Sequence, residues 1–160
     1  MDKALGDGGM ALLGQLGVDF LRYGEGWVEA AWTPTESACN PVGGVHGGVY
    51  AVVHDAAMNF ATNSALERGE SGATISITYA TMRGAKAGDQ LSVRGEVVRL
   101  ARQIAYLETT ITNAEDHVMS KASGTFILRR RDTSAAGGGA ADADADADAS
   151  SERGTATTQP

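Results

Sequence analysis

The residue types best suited to chemistry in this 160-residue chain lie in the stretch NPVGGVHGGVYAVVHDAAMNFA, which begins at Asn40. The Asn40 amide is followed by the triplet His46, Gly47 and Gly48, and the carboxylate Asp55 comes seven residues after the triplet. A helix that begins near His46 leaves its first backbone N–H groups unpaired at the positive end of the helix dipole. Glycines leave these groups open to a carbonyl oxygen or a phosphate. The spacing matches neither G-x-G-x-x-G nor a loop ending in G-K-[ST], so nucleotide-loop interpretations fail.

Asp55 falls inside the apolar helix that this stretch predicts, roughly 130° from the centre of its apolar side. Its angular neighbours Gly48, Ala51, Asn59 and Thr62 are small or polar, so this flank leaves room. The simplest interpretation is a solvated or capping carboxylate. However, an aspartate this deep in a helix cannot cap its start, and helix interiors disfavour aspartate. The position therefore favours a functional carboxylate.

Metal and cysteine chemistry have less support in the sequence. His46, His54 and Asp55 could be imagined as metal ligands, but the two histidines lie about 80° apart around the helix with two turns between them. The further ligands of a metal phosphohydrolase are missing from the pattern. His54 is better interpreted as a packed or interface histidine. Cys39 lies near the same loop but has no plausible base partner, so it is a poor candidate nucleophile.

The elements that would carry these residues follow a simple order. Two short strands flank a glycine-rich turn at 24–26, and a long helix follows from about 46 to about 67. Four segments rich in β-branched or alternating residues come next, and short links between them permit only antiparallel neighbours. The helix is apolar nearly all round, which predicts that it is buried. We therefore predict an α+β fold in which one long central helix is wrapped by a curled antiparallel β-sheet.

Composition and charge restrict the possible functions. The formal net charge is −7, but six acids against one base between residues 132 and 160 account for −5 of it. That Ala-, Gly- and Asp-rich segment predicts a disordered acidic tail after a domain at 1–131. The domain has no basic stripe, so nucleic-acid binding has little support. No signal peptide or transmembrane run is visible, and a single cysteine fits the reducing cytoplasm.

The order asparagine, His-Gly-Gly, aspartate resembles the signature of the hotdog-fold acyl-CoA thioesterases. It is most similar to the phenylacetic-acid-degradation branch, which is related to the 4-hydroxybenzoyl-CoA thioesterases. The segments ATISITYATMRGAKAGDQLSVRGEVV and HVMSKASGTFIL also resemble later strands of this family, and the resemblance covers about residues 10–130. The chain departs from the family pattern at Gly84, where a proline is common, and at Thr81, where an aromatic residue is common.

The resemblance implies an acyl-CoA thioesterase that needs no metal or redox cofactor. The thioester carbonyl would rest on the Gly47 N–H with help from the Asn40 side chain. Asp55 would activate water as a general base or attack directly, and Thr74 would help to hold the water. His46 would position the loop rather than transfer protons. Coenzyme A would be the leaving thiol.

The resemblance also implies a substrate-binding region and an assembly. Substrate binding is assigned to Gly48, Arg83 and Lys86, and Arg99 and Arg102 could also meet the phosphates of coenzyme A, although solvated surface is the commoner interpretation for such side chains. The acyl group is expected to be aromatic or of medium length. We expect a homodimer or homotetramer with active sites shared between chains, and no membrane partner. Two alternatives on the same fold stay open, an acyl-CoA hydratase or dehydratase and a non-catalytic acyl-CoA sensor.

Overall fold

The computed structural model describes residues 6–131, where one long helix lies inside a six-stranded sheet. The elements are α1 (Ala11–Gln15), β1 (Val18–Gly24), β2 (Trp27–Trp32), a 3₁₀ turn (Glu36–Ala38), α2 (Gly47–Ser64), β3 (Ser71–Thr81), β4 (Leu91–Leu100), β5 (Ile104–Asn113) and β6 (Val118–Arg129). The sheet order is β1-β2-β4-β5-β6-β3, and all neighbouring strands are antiparallel. The predicted α+β hotdog arrangement is confirmed. The tail expected at 132–160 lies outside the described residues.

Helix α2 forms the centre of the core and contacts all six strands. Val53, Ala57, Met58 and Ala61 are each at most 1% exposed, as expected for a helix enclosed by a sheet. A Cβ atom at Gly95 of β4 would lie 2.8 Å from the carbonyl oxygen of Ala57. Glycine at this strand position therefore allows the sheet to approach the helix backbone closely.

The helix begins where the sequence predicts and ends slightly earlier. His46 is the N-cap, and the last helical residue is Ser64 rather than residue 67. The next two N–H groups, of Ala65 and Leu66, bond to carbonyl oxygens three residues earlier instead of four. The chain thus tightens into a short turn before β3, as helix ends commonly do. Within residues 6–131, no helix is long and apolar enough to cross a membrane.

Strands β1 and β3 are the two edges of the sheet, and β3 runs beside α2. The pairing of β3 with β6 shifts between Thr74 and Ser76, and such a bulge changes which residues face inward. Before the shift, Gly72 and Thr74 contact the helix. After it, Tyr79 does so instead. The bulge therefore decides which side chains of this edge strand reach the flank that carries Asp55.

Candidate active site

The loop before α2 is held in one conformation by backbone hydrogen bonds. The Val45 N–H donates to the Ala85 carbonyl oxygen at 2.8 Å, and the His46 N–H donates to that of Ala38 at 2.9 Å. The Ala85 N–H donates to the Tyr50 hydroxyl at 3.0 Å. Burial raises the pKa of Tyr50 above 10, although the Ala85 N–H acts in the opposite direction, so this residue remains a neutral phenol. The site loop is thus fixed to the first turns of the helix.

Asn40 uses its amide oxygen within its own loop. Its Oδ1 accepts hydrogen bonds from the Val42 N–H at 3.0 Å and from the Gly44 N–H at 3.3 Å, a side-chain-to-backbone turn typical of asparagine. Its Nδ2 has no hydrogen-bond partner among residues 6–131. The oxygen therefore shapes the loop, and the amide N–H groups are the part of Asn40 that can meet a ligand.

The start of α2 presents one open backbone donor. The Nδ1 of His46 accepts a hydrogen bond from the Gly48 N–H at 3.0 Å, so a neutral His46 carries its proton on Nε2. The Gly47 N–H has no partner within the described part of the chain, and a Cβ atom at Gly47 would find nothing within 4 Å. Of the two glycines, Gly47 is therefore the one whose N–H can donate a hydrogen bond to a ligand oxygen. The Gly48 N–H is already engaged by the cap.

Asp55 and Thr74 form the hydrogen-bonded pair of the site. The Thr74 hydroxyl donates to Asp55 Oδ1 at 2.6 Å, which joins α2 to the edge strand β3. Asp55 is half-buried, and its Oδ2 has no hydrogen-bond partner among residues 6–131. One carboxylate oxygen is therefore fixed while the other can accept a proton. The structure brings together these two residues, which lie 19 positions apart in the sequence.

Gly47 and Asp55 lie on the same helix but far from each other. They are separated by eight helical residues, and a helix rises about 1.5 Å per residue, which gives about 12 Å along the axis. A reacting carbonyl must lie about 3 Å from both an oxyanion donor and the activated water. Within one chain, about 12 Å of helix axis thus separates the candidate oxyanion donor from the backbone of the candidate base.

The candidate cations fall at opposite ends of the sheet. Lys86 forms an isolated backbone bridge with Gly44, which places Lys86 beside the loop of Asn40, while the backbone N–H of Arg83 donates to the Met119 carbonyl oxygen. Arg99 and Arg102 instead lie where β4 ends and β5 begins. Arg83 and Lys86 are exposed. The structure thus places Lys86 at the loop, with Arg83 three residues before it in the sequence, and puts Arg99 and Arg102 at the other end of β4.

Tyr79 is a contact of the site that the sequence pattern did not single out. Its hydroxyl donates to the Gly47 carbonyl oxygen at 3.2 Å, so β3 also contacts the first turn of α2. The alternation of β3 alone does not show which of its residues face the helix, because the bulge after Thr74 shifts the pattern.

His54 points away from the site and into the core. It is fully buried, and its Nε2 lies 2.8 Å from Ser120 Oγ. Because the Ser120 hydroxyl donates to the Ala80 carbonyl oxygen at 3.0 Å, His54 must donate through Nε2, and its Nδ1 has no partner in the part of the chain that the structure describes. Burial lowers the pKa of His54 to about 4. Among residues 6–131, no group of three or more His, Cys, Asp or Glu residues could hold a metal ion.

Comparisons with known proteins identify the family and the fold that this chain resembles. The model of the thioesterase superfamily matches residues 42–120. Human acyl-coenzyme A thioesterase 13 is 29% identical over 104 residues, which are 64% of this chain and 67% of the human protein.

Two solved structures share the fold, and their sequence identities of 24% support a likeness of fold alone. One is the E. coli PaaI protein from the phenylacetic acid degradation operon, with a TM-score of 0.69 and 24% identity over 78% of this chain and 87% of PaaI. The other is a hypothetical thioesterase of Streptococcus pneumoniae with coenzyme A, with a TM-score of 0.67 and 24% identity over 71% of this chain and 87% of that one.

Proposed function

This chain belongs to the thioesterase superfamily and is a thioester hydrolase, and from that premise we propose that it hydrolyses an acyl-CoA thioester to a free acid and coenzyme A. The observation that carries the proposal is the hydrogen bond from Thr74 to Asp55. It orients a half-buried carboxylate on the one flank of α2 that the sheet leaves open.

Asp55 is the group that we assign to activation of water. With Oδ1 held by Thr74, Oδ2 can accept a proton from a water molecule as that water attacks the thioester carbon. Direct attack by the carboxylate is the other route open to the same group. Both routes require Asp55 to be ionised and correctly oriented. The Thr74 contact supports orientation in either case.

The Gly47 N–H and the Asn40 amide are the donors that we assign to the thioester oxygen. Negative charge develops on this oxygen during attack, and fixed donors stabilise it most effectively in a site from which water is excluded. The Gly47 N–H is open and Asn40 retains its amide N–H groups. The His46 cap fixes the first turn of the helix, so we assign His46 a positioning role.

A complete site requires two copies of the chain. Because about 12 Å of helix axis separates Gly47 from Asp55 within one chain, we propose that a second α2 runs antiparallel to the first. A two-fold axis near Ala51 then brings Gly47 of one copy beside Asp55 of the other. Ala51 is small and half-buried, which permits close approach of the helices. A homodimer joined along the β3 edges is the minimum assembly, and a homotetramer made of two such dimers is compatible with it.

The substrate class follows from the relatives and from the charges at the loop. A relative is named an acyl-coenzyme A thioesterase, and a structural neighbour was solved with coenzyme A. Lys86 lies at the loop of Asn40, and Lys86 and Arg83 are our candidates for the phosphates of coenzyme A, with Gly48 as a further substrate contact. The PaaI neighbour comes from a phenylacetic acid degradation operon. We therefore propose an aromatic or medium-chain acyl group.

Release of free thiol from several acyl-CoAs tests the proposal. The panel comprises phenylacetyl-, hydroxybenzoyl-, short-chain and medium-chain acyl-CoA, and we expect release to be fastest for an aromatic or medium-chain substrate. A change in the absorbance of an enoyl group without thiol release would instead identify a hydratase. If the purified protein binds the panel but causes neither change, it is a sensor and the proposed hydrolysis is wrong.

A further inference from the structure

Three polar side chains share the open flank of α2 at helical spacing. Asp55, Asn59 and Asn63 are four residues apart in succession, which places their side chains on one face, one turn after another. Asparagine, like aspartate, lowers helix stability in interior positions. Asp55, Asn59 and Asn63 therefore form a polar stripe that is unusual for the interior of a helix.

The two asparagine amides form a relay with a fixed direction. The backbone N–H of Gly72 donates to Asn63 Oδ1 at 3.3 Å, and Asn63 Nδ2 donates to Asn59 Oδ1 at 2.8 Å. A backbone N–H can only donate, so Asn63 must turn its oxygen toward Gly72. Its NH₂ group must then face Asn59, which has to present its own oxygen. The orientation of both amides thus follows from one backbone group on β3.

The same edge strand anchors both ends of the polar stripe. A Cβ atom at Gly72 would lie 2.6 Å from Thr62 Cγ2, so only glycine lets this part of β3 approach the helix closely enough to reach Asn63. Two residues later, Thr74 donates to Asp55. Because both contacts come from β3, they hold the stripe in a constant register against the strand. Asn59 lies between them.

The relay uses only the oxygen of the Asn59 amide, and Asn59 lies one helical turn after Asp55. Asn59 is half-buried, its Oδ1 is turned toward Asn63 in the following turn, and its Nδ2 has no partner among residues 6–131. The NH₂ group of this planar amide therefore points away from Asn63, and Asp55 lies one turn earlier on the same face of the helix. Asp55 Oδ2 likewise has no partner in the described part of the chain. A donor and an acceptor without partners among the described residues thus lie one turn apart on the same helix face.

We propose that Asn59 is a positioning residue that donates a hydrogen bond to the water held at Asp55 Oδ2, with its amide oriented by Gly72 and Asn63. This inference rests on the proposed thioester hydrolysis. The water would donate one proton to Asp55 and accept the Asn59 N–H through one lone pair. Its second lone pair would then point at the thioester carbon. As this lone pair forms the new C–O bond, the donated proton passes to Asp55.

A double-mutant cycle tests the relay with two single variants. Asn59→Leu removes the donor at similar size, and we expect kcat to fall about tenfold, the value of one positioned hydrogen bond, with KM nearly unchanged. Asn63→Asp still accepts the Gly72 N–H, but its second oxygen faces Asn59. The Asn59 amide must then reverse and turn its oxygen toward the water, so kcat should fall by a similar factor.

The double variant distinguishes the relay from two independent effects. If Asn63 acts only through Asn59, Asn59→Leu/Asn63→Asp should be no slower than Asn59→Leu, whereas independent effects would multiply to about 100-fold. Ser71→Asp places an equivalent charge near Gly72 and should leave kcat unchanged. Assembly size should match the parent throughout, and Asn59→Leu should melt at or above the parental temperature because it replaces an asparagine inside the helix.

Three results would overturn the proposal. They are multiplicative losses in the double variant, a parental kcat for Asn59→Leu, and an Asn63→Asp loss that is matched by Ser71→Asp. A parent chain that releases no thiol from any acyl-CoA would instead refute the proposed hydrolysis itself, and the role of Asn59 with it. The parental rate, measured in the same assay, separates these two kinds of failure.

Discussion

At the scale of single residues, the site divides its polar atoms between structure and chemistry. Asn40 commits its oxygen to its loop, His46 commits Nδ1 to the Gly48 N–H, and Asp55 commits Oδ1 to Thr74. Each of these groups keeps a second polar atom free for a ligand. Fixing one atom of a bifunctional side chain orients the other, and this orientation is what a positioned donor or base requires.

Asp55→Asn tests the assigned base directly. The substitution keeps the size of the side chain, and the Thr74 hydroxyl can still donate to its oxygen, so the fold should persist. Because a neutral amide cannot accept the proton of water, we expect turnover to fall at least about 100-fold. The measurement is thiol release at saturating acyl-CoA, together with the melting temperature of the variant.

The matched control for this variant is Asp19→Asn on strand β1. Asp19 is an exposed carboxylate outside the site, so its loss should leave turnover at the parental value. A purified, folded Asp55→Asn enzyme that works at the parental rate would show that the catalytic base is another group.

At the scale of elements, the contact of α2 with β6 and β3 buries a histidine that must remain neutral. His54 is fully buried, and burial lowers its pKa from 6.5 to about 4. The unfolded chain therefore binds a proton near pH 6.5, while the folded chain binds it only near pH 4. Since the unfolded state holds more protons in this window, stability falls as the pH is lowered through it.

The expected loss is about 1.4 kcal/mol of unfolding free energy for each pH unit between about 6.5 and 4.5. Urea denaturation at several pH values measures it. In the control variant His54→Gln, the neutral amide can still donate to Ser120, so this slope should largely disappear. An equal slope in both proteins would show that other groups are responsible.

Two carboxylates with lowered pKa values act in a different window. Although burial raises the pKa of Glu29, hydrogen bonds from Arg22 and Arg94 lower it below 4.5. For Glu70 burial also acts upward, but backbone N–H groups and Arg130 bring its pKa below 4.5. A carboxylate whose pKa is lowered in the folded state stabilises the protein until the pH falls below the pKa of the same group in the unfolded chain. The slope above pH 4.5 therefore reports on His54.

At the scale of the whole molecule, the edge strand β3 and the open flank of α2 form one continuous surface. Ile75 on this strand is 56% exposed and Met82 just beyond it is 53% exposed, and an unpaired edge of this kind readily pairs with another strand. Association across this surface would bring the two halves of the proposed site together. Only the assembled protein would then be active.

Mixing two inactive variants tests the shared site. Gly47→Pro removes the backbone donor, yet proline suits the first helical position, and the extended backbone of His46 suits a residue before proline. After exchange with Asp55→Asn chains, each mixed dimer would contain one intact site and one doubly damaged site. For equal mixing, about a quarter of the parental activity should return.

Sedimentation and a labelled-chain exchange assay provide the controls for this experiment. Each variant alone must form the parental assembly and remain nearly inactive. If exchange is complete and no activity returns, or if an active monomer is found, each site belongs to a single chain and the proposed two-fold arrangement is wrong.

Local patterns in the sequence were sufficient for the elements and for the residues of the site loop. The helix predicted at about 46–67 is α2, Gly47–Ser64, in the structure. It could be predicted because an apolar run that begins with glycines and is followed by Gly69 is a pattern of neighbours in the sequence. The turn between β1 and β2 and the four later strands were predicted for the same reason. Family resemblance assigned Asp55 and Thr74 to the same water molecule, and the structure places the two side chains in contact.

Only the tertiary structure decided which groups are free and which are engaged. The bulge after Thr74, the use of Asn40 Oδ1 within its loop and the burial of His54 against Ser120 all arise from contacts between segments distant in sequence. Helical periodicity marked Asn59 only as a neighbour of Asp55. The direction of its amide is set by a backbone N–H on β3. A single sequence encodes such directions only through the fold, because hydrogen-bond geometry depends on where two elements meet.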